Sequence, residues 1–555
     1  MFGFRTDNLK GDIYGGITAG VVALPLALAF GEASGAGPIA GLYGAIIVGF
    51  FASLFGGTGS QVTGPTGPMV VVFAGVYAAL DGDPSLVFTT VVLAGVIQVV
   101  FGVMKLGQYI RLVPYPVISG FMSGIGCIII ALQTSRLFGH EPEESGTIPA
   151  IQEIPGAILD PNFAALGIGL LTLIIVFKWP PAWGKYVPGP LAGLIIGTVT
   201  SLFFAGAPIL GDIPTGLPSF IMPSLSQDTL LIIFEAAFIL ALLGAIDSLL
   251  TSLVADNMTR TRHNSNQELI GQGIGNIAGG LFGGIASAGA TMRTVINIRT
   301  GGQTKISGML HSVLLLAVVV ALAPLASVIP HTVLAAILIK TGWDIIDRAY
   351  ILKAHRGPRW DLALMMLVLS LTVFVDLITA VIAGVVMASL AFVKQIADEQ
   401  LQQLRELTAE GGHHTNFSAE EAELMTHSHE RINVFDFGGG PLSFGAAADM
   451  GHQIREKSGK LSQVTILDFD EVPFIDVSAA RAVETIVNDG KVANKLIYVC
   501  GMNQKVRKTL EGLMGELIPN ERYFETRRDA IAAAVEFVES TEGKLEQVNA
   551  RAALA

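Results

Sequence analysis

Two stretches set small residues and a threonine at the head of a short apolar run: GPTGPM at 64–69 and AGATMR at 288–293. The runs that follow, 66–79 and 291–299, are too short to cross about 30 Å of hydrocarbon at about 1.5 Å per residue. Each reads as a half-helix that starts inside the bilayer. A helix N-terminus carries unpaired N–H groups and a partial positive charge. Two such ends facing one another make an anion seat without any full charge. Pro65 and Pro68 suit a helix start, because proline lacks only an N–H that would be free there anyway. Thr66, Gly67, Thr291, Met292 and Arg293 are therefore the candidate anion-binding residues. The threonine hydroxyls offer two more donors, although threonine in a membrane helix also bonds its own i−4 carbonyl. A cation at membrane depth is costly, so Arg293 must face a cavity or a partner.

Asp247 and Thr251 lie four apart, hence on one face of a long apolar span. With the backbone carbonyls near Gly289 and Ala290, Asp247 could hold Na⁺ through oxygen ligands, or it could pair with Arg293. Glu32, at the end of the first span, is a candidate proton-coupling group, since loss of solvent favours the neutral carboxyl. It reads equally as a solvated residue at a helix end. Glu235 carries the bland reading. His263, His311, His331 and His355 show no ligand spacing, so the sequence assigns no metal other than Na⁺. Cys127 and Cys500 are too isolated for a disulfide or a metal site.

These groups need elements to hold them. The chain has 34 basic and 46 acidic residues, and half of all these charges follow residue 400. Residues 1–395 carry fourteen apolar stretches, near 14–30, 39–56, 66–79, 86–104, 113–133, 163–178, 187–205, 228–255, 267–286, 291–299, 306–328, 331–342, 360–376 and 378–394. An even number puts both termini on one side. The basic residues agree: Lys105, Arg111, Lys178, Lys185, Arg260, Arg262, Arg299, Lys305, Arg348, Lys353, Arg356 and Arg359 fall in loops of one side, and only Arg136 in loops of the other. Under the positive-inside rule both termini are cytoplasmic, and the expected location is a bacterial inner (plasma) membrane. No cleavable leader is expected from MFGFRTDNLKGD. The two short spans are seven apart, which points to two inverted seven-span repeats with a midplane site. Residues 396–430 read as a polar linker. INVFDFGGG, QVTILDF and KLIYVCG read as strands alternating with helices, a small α/β domain over 431–545.

The motifs ALPLALAFGEASGAGPIAGLYGA, GPTGPM, VPYPVISGFMSGIG, IDSLLTSLVADNMTRTRHNSNQELIGQGIGN and GGIASAGATMRTVINIRTGGQT resemble the sulfate permease (SulP) family, and within it the BicA-type bicarbonate transporters. The tail resembles a STAS domain. Its FIDVSAA falls where that domain carries a phosphorylatable residue, here Ser478, which also reads as a helix cap. The resemblance implies a core of spans 1–4 and 8–11, a gate of spans 5–7 and 12–14, an elevator movement between them, and a homodimer assembled with help from the STAS domain. It implies a Na⁺ site at Asp247, Thr251, Gly289, Ala290 and Thr291, and an anion site that includes Thr66. Arg293 departs from the glycine of the BicA-type pattern, and many other members carry arginine there. A fixed cation at that point could replace Na⁺.

The expected function is secondary active transport of a small anion, with Na⁺-dependent bicarbonate uptake first. Proton-coupled sulfate or dicarboxylate transport, uncoupled exchange and a channel are the alternatives. An enzyme is not expected, because no nucleophile–base pair or phosphate loop is visible and GGG at 438–440 lacks the flanks of a nucleotide site. The absence of a basic stripe argues against nucleic acid. The partners expected are membrane lipid and the anion itself.

Overall fold

The computed structural model describes residues 8–110, 113–141, 147–184, 187–204, 206–211, 218–375, 377–407, 417–425, 431–457, 462–514 and 518–553. Arg111, Lys185, most of the acidic segment after Glu141 and much of the linker lie outside these. The chain divides into two compact units, Met1–Ala388 and Ser389–Ala555.

Each of the fourteen apolar stretches is helical over most of its length. The helices are α1 (Leu9–Ala33), α2 (Pro38–Phe55), α3 (Gly67–Ala79), α4 (Pro84–Val103), α5 (Tyr115–Leu137), α6 (Thr147–Leu159), α7 (Phe163–Lys178), α8 (Gly189–Ser201), α9 (Leu230–Thr259), α10 (Ser265–Leu281), α11 (Thr291–Arg299), α12 (Lys305–Ala326), α13 (His331–Ile345), α14 (Arg359–Phe374) and α15 (Leu377–Gln403). Among the described residues, six helices, or seven counting a bent pair, are long and apolar enough to cross a bilayer by length and composition alone. The sequence pattern did not mark α6, which meets α7 at a 112° bend. Side-chain caps start several helices where apolar runs begin: Asp83 accepts from Ser85 N–H, Asn264 from Gln267 N–H and Thr304 from Ile306 N–H.

Setting aside α6 and the short helices Gly107–Ile110, Pro181–Gly184 and Arg348–Ala354, each half of the unit supplies seven helices among the described residues, and the packing repeats when the halves are exchanged. The fourth helix of the first half (α4) packs on the second of the second half (α10), and α12 packs on α2 in the same way. The pairs α1–α12 and α9–α4 correspond, as do α5–α14 and α13–α7. Such an exchange is what two-fold-related repeats produce. The helices sort into two groups. α1–α4 and α9–α12 pack chiefly among themselves, and α5, α7, α8 and α13–α15 do likewise. The groups meet where α1 touches α8 and α13 and where α3 touches α5.

The second unit is an α/β layer. Its sheet has the order β3 (Arg405–Leu407), β4 (Ile432–Asp436), β5 (Val464–Asp468), β6 (Leu496–Cys500), β7 (Tyr523–Phe524), with β3 antiparallel to β4 and the rest parallel. α16 (Ala419–Met425), α17 (Phe444–Lys457), α18 (Val477–Val492), α19 (Gln504–Met514) and α20 (Arg527–Ala553) complete it. β3 and α16 fall in the segment read as linker. β3 is short and polar, so its own sequence carries little strand signal; pairing with β4 defines it. The central strands β4, β5 and β6 are largely buried on both faces, as parallel strands covered by helices must be. Both cysteines are free, and burial followed by the Asp468 carboxylate pushes the Cys500 thiol up, leaving it unreactive.

Candidate functional site

The two half-helices start from one small ladder. β1 (Thr63–Gly64) pairs antiparallel with β2 (Ala288–Gly289), Thr63 opposite Gly289 and Gly64 opposite Ala288. Ala290 N–H donates to Val62 O at 2.8 Å, which extends the pairing. Each strand runs directly into its helix, so the antiparallel ladder aims α3 and α11 from opposite directions toward a shared region. Thr66 is the N-cap of α3 and Ala290 that of α11. The helical ladders begin only at Val70 N–H to Thr66 O and Thr294 N–H to Ala290 O. The earlier N–H groups of each helix are therefore outside the helical bonding.

Two glycines let polar side chains close onto the ladder backbone here. A Cβ on Gly64 would stand 2.1 Å from Arg293 Nη1, and one on Gly289 would stand 2.2 Å from Gln61 Nε2. Arg293 is buried, and its Nη2 donates to Pro65 O at 3.0 Å while Nη1 has no partner. It makes no ion pair with Asp247 among the described residues, so the pairing that the sequence left open is not formed. Its guanidinium instead lies over the β1 backbone, behind the start of α3.

Asp247 projects from α9 and is buried with Oδ2 unpartnered. It lies close to the Thr66 hydroxyl, also buried, without closing a hydrogen bond of normal geometry. One turn on, Thr251 Oγ1 donates to Gly289 O at 2.9 Å and sits 2.7 Å from Thr291 Oγ1. Neither Thr66 nor Thr291 bonds back to its own helix. Gly289 N–H donates to Ser248 Oγ at 2.9 Å. Thr251, Gly289 and Thr291 thus form an oxygen-rich cluster one helical turn from Asp247, next to the two helix starts. This donor set has the hard-oxygen chemistry that Na⁺ takes. An apolar cavity opens from Asp247 and Pro68 onto Val117, Phe121 and Met122 of α5 and Val381 of α15. Gly67 packs against Ile129 of α5 and Ile345 of α13. The site therefore lies where the two helix groups meet. Met292 points away from this burial, with 58% of its surface exposed.

A polar network that the sequence reading did not single out holds the ladder in place. Glu268, buried on α10, accepts from Gly57 N–H (2.9 Å), Thr58 N–H (2.9 Å), Gln61 Nε2 (3.0 Å) and Gln272 Nε2 (2.8 Å). Gln272 Nε2 also reaches Thr63 Oγ1 at 2.7 Å. Asn276 exchanges bonds with the Ser287 backbone ahead of β2. Glu268, Gln272 and Asn276 are spaced four apart, a polar stripe on an apolar helix that could have been read as one buried face.

Glu32 stands apart from this cluster. Its Oε1 lies 3.1 Å from His331 Nδ1. Ser478 is the second residue of α18, exposed, and the cap is made by Asp476, which accepts from Ala479 N–H at 2.8 Å.

A helical membrane unit built from two exchanging halves, with two opposed half-helices at their crossing, has the architecture of a secondary transporter. The Sulfate permease family profile matches residues 9–368, and the STAS domain profile residues 423–530. The chain belongs to the sulfate permease family and is a multi-pass anion transporter, not an enzyme. It is 39% identical to the bicarbonate transporter BicA of Picosynechococcus sp. over 95% of each chain. The solved transmembrane domain of a cyanobacterium bicarbonate transporter BicA shares 46% identity with a TM-score of 0.65, covering 68% of this chain and 99% of that one. SLC26A9 shares the fold, with a TM-score of 0.81 at 18% identity, covering 98% of this chain and 92% of that one.

Proposed function

We propose that this chain takes up bicarbonate together with Na⁺ by an elevator movement of α1–α4 and α9–α12 against the remaining helices. The observation that carries the reading is the buried Asp247 carboxylate, its Oδ2 without a partner, beside two opposed helix starts. A lone carboxylate there repels an incoming anion. A cation held by Asp247 Oδ2, Thr251, Gly289 O and Thr291 removes that repulsion, so each ion makes the other bind better. The anion then meets the N–H groups of Gly67, Met292 and Arg293 and the Thr66 hydroxyl. The lean contact between the helix groups and the apolar cavity at their boundary support a sliding core. In this reading both termini are cytoplasmic, the protein lies in the plasma membrane, and a dimer forms with help from the C-terminal unit. The exposed Ser478, at the positively polarised start of α18, is a site where added phosphate would find favourable dipole charge.

A second reading is proton-coupled sulfate or dicarboxylate transport. Arg293 favours it, because a permanent cation behind α3 reduces the need for Na⁺, and Glu32 would then carry the proton.

Labelled uptake of bicarbonate, sulfate and fumarate into proteoliposomes, with Na⁺ and pH varied independently, separates these. Saturable bicarbonate uptake that rises with Na⁺ at constant pH is expected. Sulfate or fumarate uptake that follows pH and ignores Na⁺ sinks the first reading in favour of the second. Flux without saturation or counterflow means a channel. Arg293→Gln should raise the anion half-saturation constant roughly tenfold, from the loss of about 1–2 kcal/mol of Coulomb attraction. An unchanged constant assigns Arg293 to structure alone.

A further inference from the structure

His331, Glu32 and Glu141 come from three separate parts of the membrane unit. Glu32 ends α1, His331 begins α13, and Glu141 follows α5. Their ligand atoms all lie within 4.8 Å of one another. His331 Nε2 stands 3.1 Å from Ile209 O. A carbonyl only accepts, so Nε2 carries the hydrogen and Nδ1 of a neutral imidazole presents its lone pair. That Nδ1 is buried and faces Glu32 Oε1 at 3.1 Å and Glu141 Oε1 at 3.6 Å. A bare nitrogen and two carboxylate oxygens cannot share this space without a positive species between them. Arg136 of α5 lies near Glu32, but among the described residues neither carboxylate ion-pairs with an arginine or lysine.

A proton or a metal ion could fill that role, and the convergence of three ligand atoms from separate elements favours the metal. Nδ1 and Glu32 Oε1 stand 3.1 Å apart, near enough to interact but off the line of a well-formed hydrogen bond. A shared proton needs the two atoms to point at each other. A metal needs them only to point at a common centre. Zn–N and Zn–O bonds of about 2.0–2.1 Å in a tetrahedron place ligand atoms about 3.3 Å apart, between the two separations here. Donation of the second imidazole N–H to a backbone carbonyl is also the usual support for a metal-bound histidine.

We infer that Glu32, Glu141 and His331 form a binding site for Zn²⁺, with the fourth position open to water. The half-exposed side of Glu141 gives the ion its way in; that side chain is 60% accessible. Bound Zn²⁺ ties α1 to α13 across the boundary between the helix groups. It therefore slows transport, and this consequence rests on the elevator reading above.

The test uses the purified full chain and Zn²⁺ alone, with calorimetry for binding and X-ray absorption for the ligands. One Zn²⁺ per chain with micromolar or tighter affinity is expected, in an N/O shell. Loss of even a supporting partner costs about 10–100-fold in affinity, so Glu32→Gln and His331→Ala should each weaken binding by at least that much. Glu141→Cys should keep the ion and add sulfur scattering at about 2.3 Å, which also decides the matter if His331→Ala does not fold. No Zn²⁺ bound in the micromolar range, binding that ignores all three changes, or no sulfur signal in Glu141→Cys overturns the site. Tight binding without slowed uptake leaves the site and removes the proposed tie between helix groups.

Discussion

Asp247→Asn abolishes Na⁺ stimulation of uptake and lowers the rate about 100-fold, while the protein melts no earlier than the wild type. Both halves follow from one fact: the buried carboxylate has an oxygen without a partner. A charged group contributes about 1.5–3 kcal/mol through each such contact, which is about 10–100-fold in binding at about 1.4 kcal/mol per decade. Removing a buried charge that makes no ion pair costs little stability and can add some. The measurements are Na⁺-dependent uptake in proteoliposomes and thermal unfolding in detergent. Na⁺ stimulation that survives the change rules out Asp247 as the cation ligand. A sharply lowered melting point would instead place Asp247 in the structural network.

Glu268→Ala should have the opposite signature: a large loss of stability, with transport failing as a consequence. Its carboxylate accepts from four donors, three of them buried, and two are the backbone N–H groups of Gly57 and Thr58 just before β1. Without it these donors lose their acceptor inside the protein, and breaking a buried charged network of this kind costs about 3–5 kcal/mol. The thermal midpoint should fall by about 5 °C or more. Anion binding should weaken too, because the Glu268 contacts set the path of the chain into β1 and α3. Glu268→Gln should fall between, since its amide keeps one acceptor but turns an NH₂ toward donors. A wild-type midpoint for Glu268→Ala would show that water replaces the carboxylate and that the network is not structural.

The contrast between these two carboxylates marks how far the sequence could be read. Asp247 stood out as an isolated charge in a long apolar span, and its environment was expected to be functional. Glu268 sits in NQELIGQGIGN among polar and small residues, where a carboxylate draws less notice. Its role became visible only once α10 lay beside the segment before β1. Arg293 shows the same limit in another way. Its position two residues into a half-helix required a cavity or a partner, but the choice of Pro65 O over Asp247 depends on how β1 crosses β2. His331 had no ligand spacing at all, and the fold alone sets it between Glu32 and Glu141.

Chain chemistry by itself determined the apolar helices, the two breaks in them, and the alternating strands and helices of the C-terminal unit. Each of these follows from local hydropathy, from proline and glycine, or from spacing along a few turns. Tertiary structure alone decided the pairing of Thr63 with Gly289, the side to which Arg293 turned, and the meeting of residues about 300 positions apart at His331. Contacts between distant segments depend on how helix faces pack and strands register, and no local property of either segment contains that information.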